Sequence, residues 1–293
     1  LSSSSAASDV YKRQKHIFAF RGRFVIMREI MVRGFSGILY VALIVSSALL
    51  SNLAFTIVLS LFSALALFEF QRLLKYKSPI PLLFFILLIY QFYIQKIDSN
   101  LHLGLLFLCI FTNLLLVYLL LTKKAFILAP FLKSSFALFY LVASGYFIVA
   151  TSSIQNSVIH GITLYMYLLI WINNSFAYLT GKKWGKTPLF PNVSPKKTWE
   201  GFWGGASVCF LISLIIAILQ KDYSLWVLPV LSGIVIIGAT LGDLIQSKFK
   251  RHAKVKDSGS LIPGHGGFYD RMDSVLFTAP FVNLFLIFVH YVS

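Results

Sequence analysis

Long apolar runs separated by short polar stretches set the pattern of the chain. Nine of them read as membrane-crossing helices, near residues 35–51, 53–71, 79–95, 102–121, 135–151, 158–180, 202–220, 225–246 and 274–292. Each is close to the ~20 residues that a helix needs to cross the hydrocarbon core. The third, opened by Pro79 and Pro81, is the weakest of the nine patterns. Gly, Pro and Asn fall mostly near the ends of the runs or at positions where helices would touch. The pattern predicts an all-α protein, a polytopic transmembrane helix bundle of about nine spans.

Composition agrees with the pattern. Hydrophobic residues make up 58% of the chain and charged residues only 12%, about half the charged share of a soluble domain. Two soluble domains would fit the length, but the apolar runs leave no room for one. Cys109 and Cys209 each lie inside an apolar run. They are expected to be small packing residues, with no disulfide and no metal site. The opening stretch LSSSSAASDVYKRQ is low in complexity and leads into no clear element. Residues 1–26 are expected to be a leader outside the fold, similar to translated linker or vector sequence, with the native start at Met27 or Met31. The stretch has no apolar core before a cleavage site, so it is not a signal peptide.

Charge orients the bundle. With the connections numbered alternately and the N-terminus inside, the outside connections hold only Lys96 and Lys221 of the 26 Lys and Arg. This is a positive-inside pattern. It places the N-terminus in the cytoplasm, the C-terminus outside, and the loops 181–201 and 247–273 on the cytoplasmic side. The net charge of +16 therefore faces anionic headgroups and nucleotides. The cations are split across loops and no aromatic–basic module interleaves them, which argues against nucleic acid as a partner.

The ten acids carry the chemistry. Asp9 is in the leader, Glu29 and Glu69 lie near the inner ends of the first two spans, and Asp98 and Asp222 are outside. The other five, Glu200, Asp243, Asp257, Asp270 and Asp273, all lie in or beside the two long cytoplasmic loops. Mixed clustered charge among glycines at a membrane face suits a metal and phosphates. Asp243 and Ser247 are four apart and share a helix face, and Asp270 and Asp273, three apart, share another. An acid at the membrane interface is a functional candidate by default, although acids at a helix N-terminus also favour the helix dipole. The turn PGHGG, with His265, Gly266 and Gly267, allows close backbone approach to a ligand. In the other loop, Ser194 followed by Pro195 suggests a helix N-cap, with Lys196 and Lys197 in the first turn. Gly201 and Gly205, and Gly238 and Gly242, are each four apart. They give small faces expected to pack the seventh and eighth spans together, which would bring the two loops side by side.

The stretch SKFKRHAKVKDSGSLIPGHGGFYDRMD, residues 247–273, resembles the signature of the phosphatidate cytidylyltransferase (CDP-diacylglycerol synthase) family. Ser247, Lys250, Arg251, Lys256, Asp257, Gly259, Pro263, His265, Gly266, Gly267, Asp270, Arg271 and Asp273 stand where that pattern has them. SPKKTWEGFWGG, residues 194–205, resembles a second stretch of the family, and the similarity covers about 170–280.

The resemblance implies a multi-pass protein of the cytoplasmic membrane that joins CTP to phosphatidic acid, releasing pyrophosphate. It divides the chain into N-terminal transmembrane helices over 27–157 and a C-terminal catalytic region over 158–293. Asp243, Asp270 and Asp273 are the expected ligands of Mg²⁺, with a second cation also in view. Lys196, Lys197, Lys250, Arg251, Lys256, Gly266, Gly267 and Arg271 are expected around the triphosphate and the lipid phosphate. Ser247, Asp257 and His265 are expected to orient ligand or water. A homodimer is a further expectation. One position departs from the family: a D-x-G-A-Y stretch reads NNSFAY here, with Asn174 at the Asp and Phe176 at the Gly. Two other readings stay open, a CTP-dependent enzyme acting on an isoprenoid or ether lipid and a non-enzymatic membrane scaffold or transporter of the same fold.

Overall fold

A computed structural model describes residues 31–95, 97–122, 129–152, 159–220, 224–264 and 266–292. The expected leader and His265 lie outside the described residues. Helix α1 is Met31–Leu50, and α2 Asn52–Leu73, α3 Ile80–Gln95 and α4 Ser99–Leu121 follow. Helix α5, Pro130–Ser135, runs through a π-helical stretch, Phe136–Val142, into α6, Ala143–Ser152. Then come α7, Ile159–Trp184, a small antiparallel hairpin of β1, Pro188–Phe190, and β2, Ser194–Thr198, and the helices α8, Trp199–Leu219, α9, Val227–His252, and α10, Tyr269–Val292.

All nine expected spans are helical. Among the described residues, eight helices are long and apolar enough to cross a membrane, counting α5–α6 as one. The exception is α3. Its 16 residues make a rod of about 24 Å, short of the ~30 Å hydrocarbon core. Several helices run past the apolar stretch that marks them. α9 continues to His252 and α10 begins at Tyr269, because polar side chains at those ends find partners inside the protein.

The centre of the bundle is formed by α6, α9 and α10, while α1 and α8 are mostly exposed. Exposed Phe35, Ile38, Phe210, Leu211 and Ile215 are the side chains that lipid would cover. The strongest helix pairs are α7 with α8 and α9 with α10, and glycines explain both. A Cβ on Gly201 would lie 2.7 Å from the Ala177 carbonyl, and one on Gly205 2.6 Å from Asn173 Oδ1. A Cβ on Gly238 would meet Thr278 Oγ1, and one on Gly242 the Asp273 carbonyl, each at 2.6 Å. The two glycine pairs therefore do not face each other, as the sequence suggested. Each seats its helix on a different antiparallel neighbour, α7 and α10 respectively, and the ends of all four helices still meet.

The helix start after the hairpin also differs from expectation. Ser194 and Pro195 belong to strand β2, and α8 begins at Trp199 with Thr198 as its cap, Oγ1 accepting the Gly201 N–H at 3.2 Å. Glu200 in the first turn accepts the N–H groups of Lys186 (3.1 Å) and Thr187 (3.2 Å), tying the hairpin to the helix. Lys196 and Lys197 thus sit on a strand, where successive side chains point to opposite sides. Lys196 is exposed and Lys197 half-buried.

Cys109 and Cys209 are both buried. Their sulfurs lie 3.4 Å from Ser144 Oγ and from the Leu169 carbonyl respectively.

Candidate active site

The C-terminal end of α9 presents one polar face. Gln246 and Ser247 each lie three or four residues from Asp243 and from Lys250, so all four project to the same side of the helix. α10 begins opposite this face, with Asp270 and Asp273 in its first turns. The loop between them folds back over both. Its turn is closed by Ile262 donating its N–H to the Gly266 carbonyl at 2.9 Å, and Gly264 and Gly266 have φ of +74° and +84°, a region that side chains disfavour.

Asp270 organises this loop. Its Oδ1 accepts from Gln246 Nε2 (2.9 Å) and Lys250 Nζ (2.8 Å). Its Oδ2 accepts from the N–H of Ser258 (2.8 Å), the hydroxyl of Ser258 (2.9 Å) and the N–H of Gly267 (2.9 Å). The Lys250–Asp270 pair is well buried, at 12% and 8% side-chain exposure. One carboxylate thus joins α9, the loop and α10.

Asp273 is buried, and its Oδ1 accepts the Ser274 N–H at 2.6 Å. It lies within electrostatic reach of Asp243, with Lys197 and Lys250 beside the two. Lys197 forms an ion pair with Asp243, and this contact brings the hairpin segment onto the α9–α10 pair. Two like charges in a partly dry setting need a cation nearby. Lys197 supplies one here.

Among the described residues, no group of three or more His, Cys, Asp or Glu converges as a metal cage. Mg²⁺ does not require one, because it is commonly held by one or two carboxylates together with substrate phosphates and water. The Asp243–Asp273 pair fits that donor set. Asp270 fits it less well, since both its oxygens already accept protein donors.

Other expected residues surround this core. Ser247 is buried on the α9 face, while Arg251, Lys256, Asp257 and Arg271 are exposed. Gly267 is buried, and Gly266 packs so closely on Asp270 that a Cβ would lie 2.7 Å from Oδ2. Asn174 is exposed on α7, whereas its neighbour Asn173 is buried. Three participants were not among the expected site residues: Gln246, Ser258 and Glu69. Gln246 was legible in principle, being four before Lys250. Ser258 carries no sequence signal.

An apolar cavity of about 320 Å³ lies elsewhere. It opens at the opposite ends of α7, α8 and α9, lined by Tyr165, Trp171, Ile216 and Leu228 among others, and holds no charged residue.

The sequence profile of the cytidylyltransferase family matches residues 31–289, nearly the whole of the helical bundle. The chain belongs to this family. Its relatives include the phosphatidate cytidylyltransferases of Staphylococcus haemolyticus (strain JCSC1435), 40% identical over 176 residues, and of Staphylococcus aureus (strain COL), 37% identical over 175 residues. Each match covers 59% of this chain and 66% of the relative, so the aligned part falls just short of two thirds of the relatives' length.

Proposed function

We propose that the protein is a phosphatidate cytidylyltransferase of the cytoplasmic membrane, making CDP-diacylglycerol and pyrophosphate from CTP and phosphatidic acid. The observation that carries this reading is the Asp243–Asp273 carboxylate pair flanked by Lys197 and Lys250, at one end of a membrane bundle of the cytidylyltransferase family. In the reaction, a phosphate oxygen of phosphatidic acid bonds to the α-phosphorus of CTP. The bond from that phosphorus to the α–β bridging oxygen breaks, and pyrophosphate leaves with the electron pair.

The attacking phosphate is already anionic, so no strong base is needed. The barrier lies in bringing two anions together and aligning them. Lys197 and Lys250, both within electrostatic reach of the carboxylate pair, oppose that repulsion. Exposed Lys196, Arg251, Lys256 and Arg271 add positive potential where the triphosphate and lipid headgroup approach. Gly266 and Gly267 let the loop backbone approach the ligand. Asp243 and Asp273 would hold Mg²⁺, which when bound neutralises charge on the phosphates. Asp270 keeps the loop in register with α9. Ser247 and Asp257 would orient ligand or water.

In this reading the site end of the bundle faces the cytoplasm, where CTP is found. The same proposal includes a homodimer, which would cover part of the exposed apolar face of α8 (Trp203, Phe210, Ile218) in place of lipid. The substrate assignment is tested with purified protein and labelled CTP, offered phosphatidic acid, a phosphorylated isoprenoid or an archaeal-type ether lipid phosphate. Label enters the lipid fraction with phosphatidic acid. Preference for either of the others would overturn the assignment.

A further inference from the structure

Among the described residues of α1–α7, Glu69 is the one acid within a helix. It lies near the end of α2, in the N-terminal half of the chain, and is 2% exposed. An acid buried in a membrane helix is costly, and its presence asks for a function. Its partners all belong to the segment between α9 and α10 or to the start of α10. Glu69 Oε2 accepts the N–H of Tyr269 at 3.0 Å and the hydroxyl of Ser258 at 2.9 Å. The same Ser258 hydroxyl lies 2.9 Å from Asp270 Oδ2, so one serine sits between two carboxylates. A hydroxyl has a single hydrogen, so Ser258 serves the two in alternation.

The loop is shaped to this carboxylate. A Cβ on Gly267 would lie 2.0 Å from Glu69 Oε2, and one on Gly259 2.4 Å from Oε1. Neither glycine tolerates a side chain while Glu69 stays in place. Oε1 is buried without a hydrogen-bond partner, so the carboxylate is not there to satisfy itself. Beside it, Phe70 packs edge-on against Tyr269 and Phe249 at 5.3 and 5.1 Å, which fixes the end of α2 against both catalytic helices.

We propose that Glu69 is a positioning residue of the active site, clamping the Gly-rich loop through Ser258 and Tyr269 so that Asp270 and its partners are held in register. The inference rests on the cytidylyltransferase reading for its kinetic consequence, but not for its structural one. It makes the N-terminal helices part of the catalytic apparatus.

The test compares Glu69→Ala, Glu69→Gln and Ser258→Ala in the full-length protein. Two readouts are used: kcat and KM for CTP and phosphatidic acid, and hydrogen–deuterium exchange of the backbone over 256–268. Glu69→Ala should lower kcat about 30-fold or more with KM changed less than threefold. It should also speed exchange in the loop while leaving α6 protected. Glu69→Gln keeps an oxygen for the Tyr269 N–H and the Ser258 hydroxyl, and should recover most of both losses. In the double variant the Glu69→Ala and Ser258→Ala effects should sum to less than the two singles, because both remove the Ser258–Glu69 hydrogen bond. If loop exchange and kcat are unchanged in Glu69→Ala, or Glu69→Gln is as impaired as Glu69→Ala, the proposal fails. Lack of activity in the unaltered protein would sink the enzymatic reading instead, and the exchange experiment would still decide the clamp.

Discussion

Lys197 on strand β2 and Asp243 on α9 form an ion pair, with both side chains 30% exposed. The contact joins the hairpin segment to the α9–α10 pair at the point where Asp243 and Asp273 oppose each other. In the proposed site Lys197 keeps this carboxylate pair tolerable without ligand and faces the phosphates when they arrive. Lys197→Ala should therefore reduce kcat/KM for CTP by about 10- to 100-fold, the scale of losing a charge contact of about 1.4–2.7 kcal/mol in the transition state. Amounts in the membrane should stay unchanged. Steady-state kinetics over a range of CTP concentrations provide the check.

Asp270 and Asp273 are three residues apart but should fail differently. Asp273→Asn removes charge from the proposed cation site, and should lower turnover by about 100-fold. Part of that loss should return with excess Mg²⁺. Asp270→Asn instead leaves Lys250 buried without its carboxylate, the kind of change that costs about 3–5 kcal/mol. It should lower thermal stability in detergent and should not respond to added Mg²⁺. Equal recovery of both variants by Mg²⁺ would contradict this division of roles.

Much of the bundle is legible in the chain because lipid demands long apolar runs, and among the described residues each of the nine runs is mainly helical. The start of α8 was not. Pro195 suits the first turn of a helix and also a strand in a two-stranded hairpin, and Thr198 offers the same capping oxygen as Ser194. The choice is made by Glu200, whose carboxylate holds the N–H groups of Lys186 and Thr187. That contact cannot be read from spacing. The glycine pairs were recognisable as close-packing faces, but which helix each would meet depends on the antiparallel connections. Asp243, Asp270 and Asp273 were found from their clustering near glycines. Glu69 was visible only as an acid near the end of an apolar run, since its partners are some 190 residues further along the chain.

Gly267→Ala tests the tightness of the loop. The added methyl would collide with Glu69 Oε2 and Ser258 Oγ, which lie 2.0 and 2.4 Å from the Cβ position. Overpacking of this kind costs about 1–3 kcal/mol, and the loop must shift off Asp270. Activity should fall at least tenfold while the helical content measured by circular dichroism is retained. Full activity would show that the loop has more room than its packing indicates.

The orientation rests on the Lys and Arg asymmetry. Ser260 is exposed in the loop between α9 and α10. With the two native cysteines replaced, a cysteine at position 260 should resist a membrane-impermeant reagent in intact cells. It should react once the membrane is opened. Labelling in intact cells would invert the topology.

In the proposed reaction this bundle transfers CMP from CTP to phosphatidic acid. Purified protein in detergent, given α-labelled CTP, phosphatidic acid and Mg²⁺, should form labelled CDP-diacylglycerol and release one pyrophosphate for each lipid made. Chelation of the divalent cation should abolish both products together. An intact, folded protein that forms no labelled lipid under these conditions would contradict the account.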